Sequence, residues 1–446
     1  MIGIVGFGKS NQMLYEFLNK KETLFISEIS SFSQEWKQRF VKDGVMFEEN
    51  GHTEKLLECD LVIKSPGIRR NLPILMEAES RGIEIINEVE YIYRVLKKLG
   101  KVPKIVVITG TNGKTTTTDL TGKVLKNNYS VFVGGNIGNP FCQVLGLEEP
   151  PQIAVLEISS FQALDLKEFE IDVLVILNIR QDHIDWHGSF ENYKNAKLRL
   201  LNFCREDGVV ILNKDDENLQ KISKKSPIYF SINNRNAGIY MDISTRKIYL
   251  NSNFLFEMPD NINYKHNYQN ALAAIAVGKH LGITDENILK TLKNFKTEEH
   301  RLEEFAQFND IKFVNDSKAT NSSATLAAID CFPEKKIILI LSGREKKEDF
   351  TELIENIKKK VKHTILLGEM VVTLEKQMKA NNLKYFVARD FSEAVENALT
   401  VAERGDYVLL SPAGASFDMF SDYKHRGEMF KQTVLKILKE KCSHEF

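Results

Sequence analysis

Lys104-Ile-Val-Val-Ile-Thr-Gly-Thr-Asn-Gly-Lys-Thr-Thr-Thr-Thr118 decides how the rest of the chain is read. The β-branched run Ile105 to Ile108 has the pattern of a buried strand. A small-residue turn, Thr109 to Gly113, follows it, and Leu120, Val124 and Leu125 then fall at helical spacing behind Lys114 and Thr115. Strand, glycine turn and helix start together make a phosphate cradle. The unpaired N–H groups and positive dipole end of the helix face an anion, Lys114 adds a cation, and the Thr115 hydroxyl suits Mg²⁺. The general phosphate-loop spacing asks for a glycine where Ile108 stands, so the loop is a shortened form, Gly110-Thr-Asn-Gly-Lys-Thr115. Gly110, Thr111, Asn112, Gly113, Lys114, Thr115 and Thr116 are the expected nucleotide contacts. The plainer alternative is an ordinary βα turn with an exposed lysine.

Outward from this stretch, short apolar runs alternate with helical segments nearly throughout, from Ile2–Val5 to Tyr407–Leu410. That rhythm predicts α/β architecture with mainly parallel sheets. Only 227–259 differs, its short alternating runs predicting an antiparallel flap or edge. A charged Gly/Pro linker at 97–103 and the segment 297–301 suggest three units: 1–98, 99–297 and 298–446. With 446 residues, several domains are expected. A formal net charge of −1 leaves no basic footprint for nucleic acid. The five dispersed cysteines fit free thiols better than a disulfide scaffold or a zinc site. No leader precedes Ile2 and no apolar run is long enough to cross a bilayer, so a cytoplasmic protein without membrane contact is expected.

The N-terminal unit carries Gly6-Phe-Gly8-Lys-Ser-Asn11 behind its first strand and Glu28 after its second. Two glycines of a dinucleotide fingerprint are present and the third is replaced by Asn11. A nucleotide-diphosphate pocket fits this better than an NAD site, with Lys64-Ser-Pro-Gly-Ile68 as its other wall; simple βα turns are the alternative. In the central unit, Glu157 ends a strand beside the phosphate loop, where a magnesium ligand is needed. Asp182, His183, Asp185 and His187 are dense in ligand-capable atoms. His183 is the expected metal ligand, Asp182 and Asp185 are turn caps or supporting groups, and His187 is placed at the surface. Phe190–Phe203 reads as one helix that turns Lys197 inward, its stem packed on the core. Asn267 and Asn270 sit on the first turn of an apolar helix, able to cap it or to face a base or ribose.

Thr109–Thr115, Glu157-Ile-Ser-Ser160, Asp182-His183, His266-Asn-Tyr-Gln-Asn270 and His300-Arg301 occur in this order over essentially the whole chain. In this combination the chain resembles the Mur ligases, which use ATP to add amino acids to peptidoglycan precursors. The resemblance implies a three-domain architecture: a Rossmann-like N-terminal domain, a central P-loop ATPase-type domain and a Rossmann-like C-terminal domain. Gly134–Gly138, Asn315-Asp-Ser-Lys-Ala-Thr-Asn321, Leu410–Asp418 and Tyr423-Lys-His-Arg-Gly427 are similar to the branch that joins D-glutamate to UDP-N-acetylmuramoyl-L-alanine (UDP-MurNAc-L-Ala). By resemblance, Lys114 and Thr115 hold the ATP phosphates and a first Mg²⁺, Glu157 ligates that ion, and His183 ligates a second. Lys197 matches a lysine carbamylated by CO₂. Asn270, Arg301 and Asp316 contact the nucleotide, and Lys318 and Thr320 lie beside the γ-phosphate and amino acid. Lys346, Ser416 and Phe417 match the D-glutamate pocket, with Tyr423 and Arg426 nearby. Ser10, Glu28, Ser65, Gly67 and Asn136 match uridine-nucleotide contacts. A monomer is expected. A folylpolyglutamate-synthase-like ligase or a Mur ligase for another amino acid are the alternatives, and the N-terminal hundred residues argue against the former.

Overall fold

The computed structural model describes residues 1–136, 138–222, 226–296, 299–344 and 349–443. Residues 297 and 298, where the second expected boundary falls, lie outside them, as does Lys346. The chain divides into two compact units. One comprises Met1–Ile179, Glu191–Asn263 and Asn267–Phe295; the other comprises Arg180–Phe190, Tyr264–His266 and Lys296–Phe446.

The first unit holds two sheets. Strands β1 (Ile2–Val5), β2 (Leu24–Ser27), β3 (Met46–Glu48), β4 (Leu61–Lys64) and β5 (Glu84–Ile86) are all parallel, in the order β3-β2-β1-β4-β5. Every residue of β1 and β2 is buried, which is why they read as unbroken apolar runs. The strand order reverses at β1, so the crevice beyond the carboxyl ends of β1 and β4 is where a doubly wound sheet takes its ligand. The second sheet contains β6 (Lys104–Thr109), β7 (Val131–Gly135), β8 (Ile153–Glu157), β9 (Ile171–Ile176), β10 (Cys204–Asn213) and β11 (Ile228–Ser231). It continues through β12 (Ile239–Asp242), β13 (Lys247–Leu250) and β14 (Asn253–Glu257), in the order β14-β13-β12-β11-β10-β9-β6-β8-β7. The last three strands are the antiparallel edge that the alternation suggested, with β12 joining β11 in parallel. At its centre β6 lies between β9 and β8, so the turn after β6 and the end of β8 emerge side by side.

One helix joins these two sheets. Helix Glu88–Lys98 starts from an Asn87 cap and is buried at Glu88, Val89, Glu90, Tyr91, Ile92, Tyr93 and Leu96. Its acidic residues suggest a solvated face but are internal. Glu90 accepts the N–H groups of Lys167, Glu168 and Phe169 at 3.0, 2.9 and 3.2 Å and the Arg94 Nε at 2.8 Å. Asn87 donates to the Gln162 carbonyl at 2.7 Å, and Glu88 accepts the Cys142 N–H. Each such buried N–H would cost about 1–3 kcal/mol if left unmet.

The second unit is built on β15 (Glu303–Phe308), β16 (Ile311–Asn315), β17 (Ile337–Ser342), β18 (Val361–Leu367), β19 (Tyr385–Val387) and β20 (Tyr407–Ala413). Their order is β15-β16-β20-β17-β18-β19, parallel except for the β15–β16 pair. No helix among the described residues is long and apolar enough to cross a membrane.

Glu88 gives this packing a pH signature. Burial pushes its carboxyl up to about 7, against the opposing Cys142 N–H. The folded state therefore holds this proton more tightly than the unfolded chain does. The stability it contributes is complete below the unfolded value, near 4.5, and is lost as pH rises through 7. Glu88→Gln should remove that loss. Urea unfolding from pH 4.5 to 8 should show the variant gaining on the wild type by roughly 2–3 kcal/mol with rising pH; a difference independent of pH would refute it.

Candidate active site

Thr109 ends β6 with its hydroxyl on the Ile158 carbonyl, at 2.8 Å, and the phosphate-loop turn begins there. Gly113 caps helix Lys114–Leu125 with φ +83°, and a Cβ there would lie 2.3 Å from Asn270 Oδ1. Asn270 is thereby placed against the loop. Lys114 Nζ donates to the Gly110 and Thr111 carbonyls at 3.0 and 2.8 Å. Lys197, 2% exposed, donates to the same Gly110 carbonyl at 2.8 Å and lies 4.9 Å from the Tyr193 ring centroid. Two lysine heads thus converge on one oxygen at the turn. The expected single helix over 190–203 is an α-helix, Phe190–Leu198, continued by a 3₁₀ segment, Arg199–Phe203; Lys197 does point inward.

Beside the loop, Glu157 ends β8 with both carboxylate oxygens engaged. Thr115 Oγ1 donates to one at 2.9 Å and Asn136 Nδ2 to the other at 3.0 Å. The Asn136 N–H also meets the Glu157 carbonyl at 2.8 Å. Asn136, expected at the uridine nucleotide, here orients the Glu157 carboxylate. Two further residues shape the loop and were given no role from sequence. Asn178 accepts the Thr111 and Asn112 N–H groups at 2.9 and 2.8 Å and donates back to the Asn112 carbonyl at 3.0 Å. The Tyr193 hydroxyl meets Thr111 Oγ1 at 3.0 Å. Asn178 stood in plain view in the stretch before Asp182; an amide at the end of a strand beside a phosphate loop was its signal.

At the N-terminal crevice, Gly6 has φ +78°, and a Cβ there would lie 2.5 Å from Ile68 Cδ1. Asn11, in place of the third glycine, donates to the Gly6 carbonyl at 2.7 Å and to Ser65 Oγ at 3.1 Å, joining the two walls. Glu28 takes the N–H of Phe7 on one oxygen, at 2.7 Å, and those of Ile29 and Ser30 on the other, at 2.8 and 3.2 Å. Burial raises its pKa, but these N–H groups outweigh it and hold the carboxyl below its usual range. Ser10 sits in the first turn of helix Lys9–Leu18, and Gly67 in the turn after β4.

In the second unit, His183 adopts a left-handed backbone, φ 54°, at the start of helix Ile184–His187. Asp182 accepts the His183 N–H at 2.9 Å and the Asn321 side-chain amide at 3.0 Å. His187, expected at the surface, is buried, its ring centroid 4.7 Å from that of Trp186. Asp316 accepts the Ser411 hydroxyl at 2.8 Å and the Leu302 N–H at 3.3 Å, and burial pushes its carboxyl up to about 7. Arg301 acts on it electrostatically, opposing that rise. Lys318 Nζ lies 5.4 Å from the Tyr423 ring centroid, and Thr320 follows in the same turn. Arg426 is fully buried and clamps this turn, donating to Ser317 Oγ and O at 3.0 and 2.8 Å and to the Gly414 carbonyl at 3.0 Å. Ser416, two residues further along, is buried and Phe417 is exposed.

Three family models cover most of the chain: a MurD N-terminal domain over residues 1–72, a Mur ligase middle domain over 108–278, and a Mur ligase, glutamate ligase domain over 300–414. The chain belongs to the Mur ligase family. Among similar Mur ligases, one from Thermosipho melanesiensis is 36% identical over 98% of both chains, and one from Pseudothermotoga lettingae 37% over 98% of both. One from Caldicellulosiruptor bescii is 38% identical over 98% of this chain and 97% of its own. Each is named UDP-N-acetylmuramoylalanine–D-glutamate ligase. Two solved structures from Thermotoga maritima share the three-domain fold. The UDP-N-acetylmuramate-alanine ligase MurC has TM-score 0.61 and 21% identity, covering 98% of this chain and 99% of its own. The MurF ligase, solved with ADP, has TM-score 0.63 and 18% identity, covering 95% and 97%.

The loop residues of this Mur ligase fit a nucleoside triphosphate with Mg²⁺. Thr116 has a buried hydroxyl without a hydrogen-bond partner in the first turn behind the loop. Among the described residues no three His, Cys, Asp or Glu side chains gather as a metal cage. An Mg²⁺ ion arriving with phosphates needs only one or two protein oxygens, which Thr115 and Glu157 offer. Gly113→Ala should weaken ADP–Mg²⁺ binding roughly 5- to 30-fold, because the left-handed backbone costs a side chain about 1–2 kcal/mol even where Asn270 swings aside. Calorimetric titration checks this; an affinity within twofold of wild type would refute it.

Proposed function

We propose that this Mur ligase joins D-glutamate to UDP-MurNAc-L-Ala, using ATP, in the cytoplasm and as a monomer. The observation that carries the reading is the near-complete match, N-terminal nucleotide domain included, to relatives that share one name. In this reading 1–98 binds the UDP-sugar, 99–297 binds ATP, and 298–446 binds the amino acid. The γ-phosphoryl group passes to the alanyl carboxylate, leaving ADP. The D-glutamate amine then attacks the acyl carbon, the C–O bond to phosphate breaks, and the amine proton is lost to solvent.

Lys114 and the loop amides bind and orient the phosphates, adding positive charge where negative charge gathers. When bound, Mg²⁺ supplies charge neutralisation, with Thr115 and Glu157 as the residues that hold it. Asn136 keeps the Glu157 carboxylate turned toward Thr115. Asn270 orients the nucleotide from the helix behind Gly113, and Arg301 and Asp316 are assigned to it from the C-terminal domain. His183 is carried as a metal ligand on the family resemblance. Lys197 is assigned as a carbamate: the ammonium gives up one proton, and the free amine adds to CO₂ and gives up a second, turning a cation into an anionic oxygen ligand suited to a hard metal. A carbamate keeps one N–H, so the bond to the Gly110 carbonyl is compatible with the modification. Lys318, Thr320, Lys346, Ser416 and Phe417 are assigned to the amino acid and its approach; Ser10, Glu28, Ser65 and Gly67 to the uridine nucleotide.

Phosphate release from ATP, measured with UDP-MurNAc-L-Ala and a panel of D- and L-amino acids, should depend on D-glutamate; equal rates without it would sink the assignment. Lys197→Ala should lose at least a hundredfold in kcat and regain part of it with added short-chain carboxylates. Full activity in that variant would exclude the carbamate.

A further inference from the structure

Lys64 closes β4 and is 1% exposed. Its ammonium donates to the Ile68 carbonyl at 2.8 Å and to the Ser65 carbonyl at 3.3 Å, folding the turn that forms one wall of the N-terminal crevice. It also lies 2.7 Å from Asp165 Oδ2, across the joint to the central sheet. Asp165, equally buried, terminates helix Ser160–Leu164, which starts three residues after Glu157. Arg70 holds the other oxygen of Asp165, at 2.9 Å, and donates to the Ile85 carbonyl at 2.8 Å. One carboxylate of the central sheet is therefore gripped by two cations of the N-terminal one. The turn in turn fixes the opposite wall, because Ser65 Oγ donates to the Gly6 carbonyl at 3.0 Å.

Stability does not account for this arrangement. Burial pushes the Lys64 ammonium below its usual range, with Asp165 opposing that shift. A buried ion pair replaced by apolar residues of similar volume is often no less stable. What apolar packing cannot do is tie two named carbonyls of a turn to a fixed point on a helix of another sheet. In the proposed reaction one substrate molecule spans both places: its nucleotide lies at the Gly6–Ser65 crevice and its reacting carboxylate at the phosphate loop beside Glu157. The distance between them has to be set by the protein.

We propose that Lys64 and Asp165 are positioning residues for the uridine-nucleotide end of the substrate, registering the 65–68 turn against the helix behind Glu157. This rests on the function proposed above. The test uses the full chain with Lys64→Met and Asp165→Leu combined, which removes both buried charges at similar volume. Its KM for UDP-MurNAc-L-Ala should rise at least tenfold, with KM for ATP and D-glutamate within twofold and kcat within threefold. Calorimetric binding of UDP alone should weaken at least fivefold while that of ADP–Mg²⁺ is unchanged. A folded double variant with wild-type KM and UDP affinity would overturn the inference and leave the reaction standing. Wild-type protein that binds no UDP would overturn both. Should the double variant fail to fold, Asp165→Asn, which keeps the shape but can accept from only one of the two cations, should raise the same KM at least threefold; an unchanged value would refute the role.

Discussion

One carbonyl oxygen, that of Gly110, organises the turn that follows β6. Lys114 comes to it from the helix that the loop starts, and Lys197 from a helix more than eighty residues on. Lys197 makes its bond almost wholly buried, whereas Lys114 is partly open to solvent. The glycines make this possible sterically: Gly113 lets Asn270 close on the loop, and Asn178 staples the loop's other side to β9's end.

How far this was legible beforehand depended on whether a feature is local. The strand, turn and helix around Lys114 are contiguous, and their periodicity and glycines carry them. Lys197 could be placed inward from the helical pattern of 190–203. The pairing of Asn136 with Glu157 could not, because two segments about twenty residues apart meet only through the register of β7 and β8. The same holds for Asn11, which reads as a defect in a glycine fingerprint and proves to join the crevice walls. Glu28 lies where an acid would meet a ribose, yet its oxygens already serve three backbone N–H groups.

Other features were hidden by composition. The strands β3 and β5 span only three residues each, too short for a pattern to rise above its surroundings. Helix Glu88–Lys98 disguises an internal surface with carboxylates, and His187 looks solvated because it follows two aspartates. In the C-terminal domain, Arg426 was placed near the amino-acid pocket by resemblance. It is fully buried, and its grip on Ser317 and Gly414 joins the turn bearing Lys318 to the segment bearing Ser416.

The helix Glu88–Lys98 also bears on how such enzymes can be recombined. It belongs by sequence to the N-terminal module, yet its Asn87, Glu88 and Glu90 answer donors and acceptors at 142, 162 and 167–169 in the next one. A chimaera cut at the 97–103 linker would carry the helix away from the surface it was fitted to. Modules exchanged between relatives should travel with both faces of that joint, so the unit of inheritance here is the interface as much as the domain.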